Sequence, residues 1–338
     1  MNKKLIALAV AAASFSGVAS AAEVFSNDTS SLAIGGRAEA RLANSKVNSA
    51  NDKGYSTEFQ DNSRARLNVT GTTQISDSLY AVGFFETEYA SEKGGESSTR
   101  HVYAGVGGDF GRVTFGLQDG SVGVITDFTD IMAYHGAEAG GKIDVADRIE
   151  NNLAYVGSFD ALSVKANYVF NNNEGVYDLS GYSASAIYDF DMGLSLGAGF
   201  GHQEDQNQAT RSKIKEDQFY LAASYTMGDF YFAGLYQNFE SKESGVTGKD
   251  KGRGFELAAA YTMDKTTFSV TYGVLESKEY GERYTDEADA IAIDATHRFN
   301  SNFRTYISYK FNNLSAGKDG NTKVDASDEF VLGARYDF

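Results

Sequence analysis

Alternation constrains this chain more than any other feature. Runs of about ten residues, with every second one apolar, recur between clusters of Gly, Asn, Asp and Ser. The clearest closes the sequence: Phe330, Leu332, Ala334, Tyr336 and Phe338 share one face, and Glu329, Gly333, Arg335 and Asp337 the other. Phe303, Thr305, Ile307, Tyr309 and Phe311 alternate in the same way with Arg304, Tyr306, Ser308 and Lys310. Ala65, Leu67, Val69 and Gly71 alternate with Arg64, Arg66, Asn68 and Thr70. A period of two is the period of strands, so the expected class is all-β. The absence of Pro from all 338 residues agrees, since a position without an N–H breaks a ladder.

The connections decide which β architecture. Short turns fall at 76–78, 108–111, 158–160, 190–193, 227–229, 263–265 and 300–302. Long, polar and acidic segments lie near 46–58, 93–98, 119–147, 172–180, 205–216, 242–251, 278–286 and 315–327. Seven turns alternating with eight loops join sixteen antiparallel strands. A water-soluble sandwich would have loops of similar length at both ends. Short turns on one rim and long loops on the other belong to an outer-membrane barrel. Parity agrees: Arg64 and Arg66 turned toward lipid would cost about 4–8 kcal/mol together, so the basic face must line a wet lumen. A barrel also reconciles 13% aromatics with a mean hydropathy of −0.36, because only alternate residues need be apolar. Closure requires the first strand, Leu32 to Ser45, to pair with the last, Asp328 to Phe338, leaving no open edge.

The opening residues read as an export leader. Lys3 and Lys4 precede an apolar run from Leu5 to Ala13, and Ala19-Ser20-Ala21 supplies the small residues of a cleavage site. Residues 1–21 are therefore expected to be a signal peptide and 22–338 the barrel domain. The apolar run is far short of the roughly 20 residues of a spanning helix. The formal charge of −16 argues against nucleic-acid partners. Without Cys there is no disulfide framework or thiolate metal site. His101, His135, His202 and His297 are too scattered for a metal motif, and nothing marks a hydrolase Ser/His pair, so neither cofactor nor enzyme activity is expected.

The stretches Ala22-Glu23-Val24-Phe25-Ser26-Asn27-Asp28 and Ala65 to Ile75, and the Tyr-Asp-Phe ending, resemble those of enterobacterial general diffusion porins. The likeness to OmpU-type porins of vibrios is closer. It includes Gly35 to Leu42, Gly123 to Met132, and Asn302 to Tyr309, and it runs through the whole mature chain. The resemblance implies a sixteen-stranded transmembrane barrel, a homotrimer in the outer membrane, and a third loop folded into the lumen. It also implies that Phe338 is a barrel-assembly signal.

The working part implied is an electrostatic constriction, where acids on an inward loop face bases on the wall and orient permeating solutes and ions. By resemblance the 119–147 loop is that constriction, and Arg37, Arg66 and Arg148 are its wall bases; Arg64 joins them by parity. Facing acids would be Asp127, Asp130, Glu138, Asp144 and Asp147 on the loop, with Glu86 and Glu88 on the third strand. Two positions depart from enterobacterial porins: Ala133-Tyr134-His135-Gly136 replaces a Pro-Glu-Phe-Gly-Gly segment, and Leu117 stands where a base is usual. Excess acidity favours modest cation selectivity. A substrate-selective channel would need an aromatic track, with Tyr80, Tyr220 and Tyr306 as candidates. A third reading is an adhesin acting through its external loops, which could also meet lipopolysaccharide through bridging divalent cations.

Overall fold

In a computed structural model the residues described are 21–48, 55–91, 95, 97–174 and 177–338. The leader expected over 1–21 lies outside them except for Ala21, as do parts of the loops expected at 46–58, 93–98 and 172–180. The strands, in order, are β1 (Ala22–Ser26), β2 (Ser30–Asn48), β3 (Tyr55–Asp61), β4 (Arg64–Ser76), β5 (Leu79–Ala90) and β6 (Ser97–Gly108). Next come β7 (Gly111–Asp119), β8 (Arg148–Phe159), β9 (Leu162–Glu174), β10 (Tyr177–Asp189), β11 (Leu194–Asn207) and β12 (Lys213–Met227). The last six are β13 (Phe230–Glu243), β14 (Asp250–Met263), β15 (Thr266–Lys278), β16 (Thr285–Arg298), β17 (Phe303–Asn312) and β18 (Glu329–Asp337).

Each pairs antiparallel with its neighbours in one closed sheet. β3 and β4 are two halves of one wall strand, since β2 pairs with both. The break at Asn62 and Ser63 is bridged to Arg41: the Asn62 N–H donates to its carbonyl (3.0 Å), and its N–H donates to Ser63 Oγ (3.0 Å). The wall therefore has sixteen strands, as the turns require. Closure runs from Phe330 opposite Asn44 to Asp337 opposite Arg37. Phe338 extends it by exchanging backbone hydrogen bonds with Gly36 (2.9 and 3.0 Å). A Cβ at Gly36 would lie 2.3 Å from the Arg66 carbonyl and 2.8 Å from the Phe338 ring, so this seam needs glycine. β1 pairs with β2 beyond that point and continues the line of β18.

Parity holds around the wall. Leu332, Ile307 and Leu67 are 48%, 47% and 38% exposed on the outer face, while Val331, Tyr306, Ser308 and Asn68 are buried within. All seven short turns fall where expected, but several strands overrun the expected loops: β11 reaches Asn207 and β13 reaches Glu243. The largest apolar core lies inside the barrel, between the wall and the connection after β7.

Candidate functional site

The wall cluster follows from register. Arg37 stands opposite Arg66, Glu39 opposite Arg64, and Arg66 opposite Glu88 on the lumen face of β2, β4 and β5. Like charges directly opposite repel, and interleaved carboxylates offset this. Glu39, buried, takes Arg64 Nε at 3.0 Å, Arg41 Nη2 at 3.1 Å and Arg37 Nε at 3.9 Å, and accepts the Tyr306 hydroxyl at 3.0 Å. Glu88 pairs with Arg66 and with Arg64 (3.4 Å). Glu86 receives Arg100 at 2.8 Å and lies 3.6 Å from His101 and 3.9 Å from Arg66. Arg100 and His101 are consecutive, yet both reach Glu86, because the β5–β6 register slips at Glu86/Thr87. Such a bulge sets two residues against one.

The connection after β7 turns inward, and the barrel wall is built to receive it. It carries α1 (Gly123–Thr126) and a 3-10 turn, Asp144–Ala146. Val122, Ile125, Phe128, Ile143 and Val145 pack on Val169, Tyr220, Ala222, Leu235 and Ala258 of the wall. Three lumen-facing glycines of β11 make room. A Cβ at Gly197 or Gly199 would lie 3.0 or 3.2 Å from Ile125, and one at Gly201 would lie 2.9 Å from Ile143.

Wall side chains also satisfy the loop backbone, which a buried loop demands. Ser121 N–H donates to Asn167 Oδ1 (3.0 Å), Ile143 N–H to Gln218 Oε1 (2.8 Å), and Ala139 N–H to Glu256 Oε2 (3.2 Å). The Gly141 carbonyl accepts the Tyr220 hydroxyl at 2.7 Å. Midway along, the connection reaches β17 and β18. His135 Nδ1 is 2.8 Å from Ser308 Oγ, and its Nε2 is 3.2 Å from Glu329. Tyr134 accepts from Asn62 (3.2 Å) and lies under the Arg41 guanidinium, 5.0 Å from its ring centre.

The expected residues are thus only partly gathered. Arg37, Arg64, Arg66, Glu86 and Glu88 form one network. Arg148 stands apart from it, exposed at the start of β8 opposite Asp119. Asp127 and Asp130 lie close together on the loop, open to lumen water. Enclosure by the barrel, and then the Asp130 charge, push the Asp127 carboxyl up to about 6; enclosure raises Asp130 as well. Glu138 is 3.8 Å from Lys310, Asp147 is 3.5 Å from Lys142, and Asp144 is near Glu216. Leu117 pairs with Val102, which is 48% exposed on the outer face, so it is a lipid-side residue and not a missing lumen base. The tyrosines form no track: Tyr220 holds the loop, Tyr306 joins Glu39 to Arg41, and the Tyr80 ring covers Gly107.

The expected site residues do not include Glu39, Arg41, Arg100, His101, Lys165 or Arg335, although Glu39, Arg41 and Arg335 share the parity of the expected bases. A stretch of lumen of about 470 Å³ beside the loop is lined by Arg37, Arg66, Arg100, Arg112, Lys165 and Arg335. Glu86, Asp119 and Asp337 line it too, so bases outnumber acids there.

Comparison with known proteins agrees with this architecture. Porin-like protein L of Photobacterium profundum is 53% identical, and outer membrane protein U of Vibrio vulnificus 48%, each over the full length of both chains. Among solved structures, OmpF of Salmonella typhi in complex with daunomycin has a TM-score of 0.79 at 23% identity, covering 94% of this chain and 100% of that one. The trimer form of OmpT of Vibrio cholerae has a TM-score of 0.73 at 21% identity, covering 91% and 99%. An anion-selective porin from Comamonas acidovorans scores 0.72 at 18%, covering 91% and 100%. A Gram-negative porin family model matches residues 7–338. The chain belongs to the Gram-negative porin family and is an outer-membrane β-barrel.

Proposed function

We propose that this porin passes ions and small hydrophilic solutes by passive diffusion, assembled as a homotrimer after a leader is removed at Ala21. The observation carrying the reading is the lumen itself. It is lined by charged and hydroxyl side chains, and the inward loop lies along one side of it, leaving open space against the Arg37–Arg66 wall. The constriction is that space: Arg37, Arg64, Arg66, Glu86 and Glu88 form its fixed side, and Asp127 and Asp130 its loop side. Arg148, Glu138, Asp144 and Asp147 serve at the loop margins. Cation preference is modest and comes chiefly from the acidic outer loops, with Asp127 and Asp130 adding to it, because the wall beside the constriction is rich in bases. Trimer assembly is supported by the OmpT trimer form, which shares the fold.

Planar-bilayer recording tests the reading. Insertion in three equal conductance steps is expected; absence of conductance would overturn the channel. Liposome swelling with sugars of graded size should fall steeply with size and not saturate, whereas saturable flux would mean a binding site.

A further inference from the structure

Three arginines stand side by side at the short-turn end of the lumen. Arg298 on β16 is directly opposite Arg304 on β17, and Arg304 is directly opposite Arg335 on β18. All three share the inner face, with Thr296, Tyr306 and Gly333 buried two residues farther in on the same strands. Lys265 extends the row at the turn before β15. Its carbonyl accepts the Arg298 N–H at 2.8 Å, and its Nζ donates to the Phe299 carbonyl at 3.2 Å. Like charges directly opposite repel, so such a row is costly unless anions are interleaved.

Around the constriction wall carboxylates do interleave, but here the nearby acids are occupied elsewhere. Asp337 is taken by Arg335, at 2.8 Å from Nε and 2.5 Å from Nη2, and lies 3.9 Å from Arg304. Glu39 stands opposite Arg335 but already holds Arg37, Arg41 and Arg64. Asp294 is four residues from Arg298 along β16, about 13 Å away. Its carboxylate accepts the Thr296 hydroxyl at 2.8 Å and the Ala133 N–H of the inward loop. The carboxylate ending the chain at Phe338 is bound by the Gly36 N–H, and Asp264, beside Lys265, is exposed in its turn. Among the described residues, Lys265 and Arg298 have no carboxylate within 4.0 Å, and Arg304 has only Asp337.

The rest of this rim is acidic. Asp77, Asp109, Asp160, Asp191, Asp229 and Asp264 each occupy one short turn, whereas the turn from β16 to β17, Asn300-Ser301-Asn302, has no acid. The bases are therefore gathered at the one short turn that lacks an aspartate. From Lys265 to Arg335 the row crosses three strand spacings, about 14 Å. Arg335 and Asp337 also line the lumen beside the inward loop, so the row continues that open space toward the periplasmic mouth.

We propose that Lys265, Arg298, Arg304 and Arg335 form an oxyanion subsite at the periplasmic mouth, which takes the phosphoryl dianion of small permeating solutes. Guanidinium forks match phosphoryl oxygens two at a time, and one dianion offsets two adjacent cations. Chloride brings a single charge and no such geometry. Inorganic phosphate and small phosphate esters share the chemistry. The subsite rests on the channel reading for access only, because binding is measurable without conduction.

Isothermal titration calorimetry of the detergent-solubilised protein tests it, with inorganic phosphate and glycerol phosphate as ligands in constant KCl. Both should bind, and glycerol should not. Arg298→Gln/Arg304→Gln should weaken both at least about tenfold. Arg298→Gln alone, which breaks no ion pair, should weaken them severalfold, and Lys318→Gln on an outer loop should not. Lowering the pH from about 7.5 to about 5 should weaken phosphate, whose second pKa is about 6, but not sulfate, which keeps both charges. KCl conductance should persist in every variant, so the channel is read independently. Wild-type affinity in both arginine variants, binding of glycerol phosphate without inorganic phosphate, or equal loss of phosphate and sulfate at low pH would overturn the subsite.

Discussion

Glu39 holds together the side of the lumen that alternation alone makes repulsive. Arg37 and Arg66 face each other across β2 and β4, with Arg41 and Arg64 one step away, and Glu39 touches three of the four. Glu39→Gln should therefore leave these arginines short of an anion. We expect a loss of about 1–3 kcal/mol, read as a lower thermal midpoint in detergent, with reversal potential shifted toward anions. Asp127 provides a titration at the opposite side. Its carboxyl is raised to about 6, so it is ionised at pH 7.5 and largely protonated at pH 5. Cation preference should fall as the pH drops through that range. Asp127→Asn should show the lower preference already at pH 7.5 and lose the step, as measured by reversal potential across a KCl gradient.

The inward loop is positioned by β11 as much as by its own sequence. Gly197, Gly199 and Gly201, three successive lumen-facing positions, leave that face without side chains just where Ile125, Phe128 and Ile143 settle. Gly199→Leu should displace the loop, giving larger and noisier single-channel conductance with the barrel intact by circular dichroism. At the middle of the loop, His135→Ala removes the contacts to Ser308 and Glu329 and should increase brief closures without changing mean pore size greatly. These elements mark where the sequence was readable. Strand parity, the seven turns and the β2–β18 closure follow from a period of two and from turn residues. Arg37 and Arg66 come from the resemblance, and parity adds only that Arg64, Glu86 and Glu88 share their inner face. Which of them meet depends on register, which a shift of two residues changes without altering parity. The partners of Glu138 and Asp147 do not follow either, since a loop's path depends on what it docks against. Arg100 also escaped, because a bulge breaks the period that reveals lumen residues. Three glycines at successive inward positions are the feature of β11 that leaves room for another segment on that side.

Charge is divided by place across the whole molecule. The chain as a whole is acidic, but the lumen beside the loop has more bases than acids lining it, so the excess acids lie elsewhere, many on the outer loops. Selectivity then depends on how far each population acts. Loop charges exposed to bulk solvent act over about 30 Å at 0.01 M salt and about 3 Å at 1 M. Wall charges lining the lumen beside the inward loop are partly buried, and partly buried charges are screened less. Low salt should therefore let the acidic vestibule draw cations in, while high salt leaves the base-rich wall to decide. Reversal potentials measured at a fixed tenfold gradient should show cation preference at low mean salt, falling and turning toward anions near 1 M. Neutralising Asp325 and Asp328 in the last long loop should flatten this dependence more than Asp127→Asn does. A preference that stays constant across the salt range would mean that the constriction alone sets selectivity.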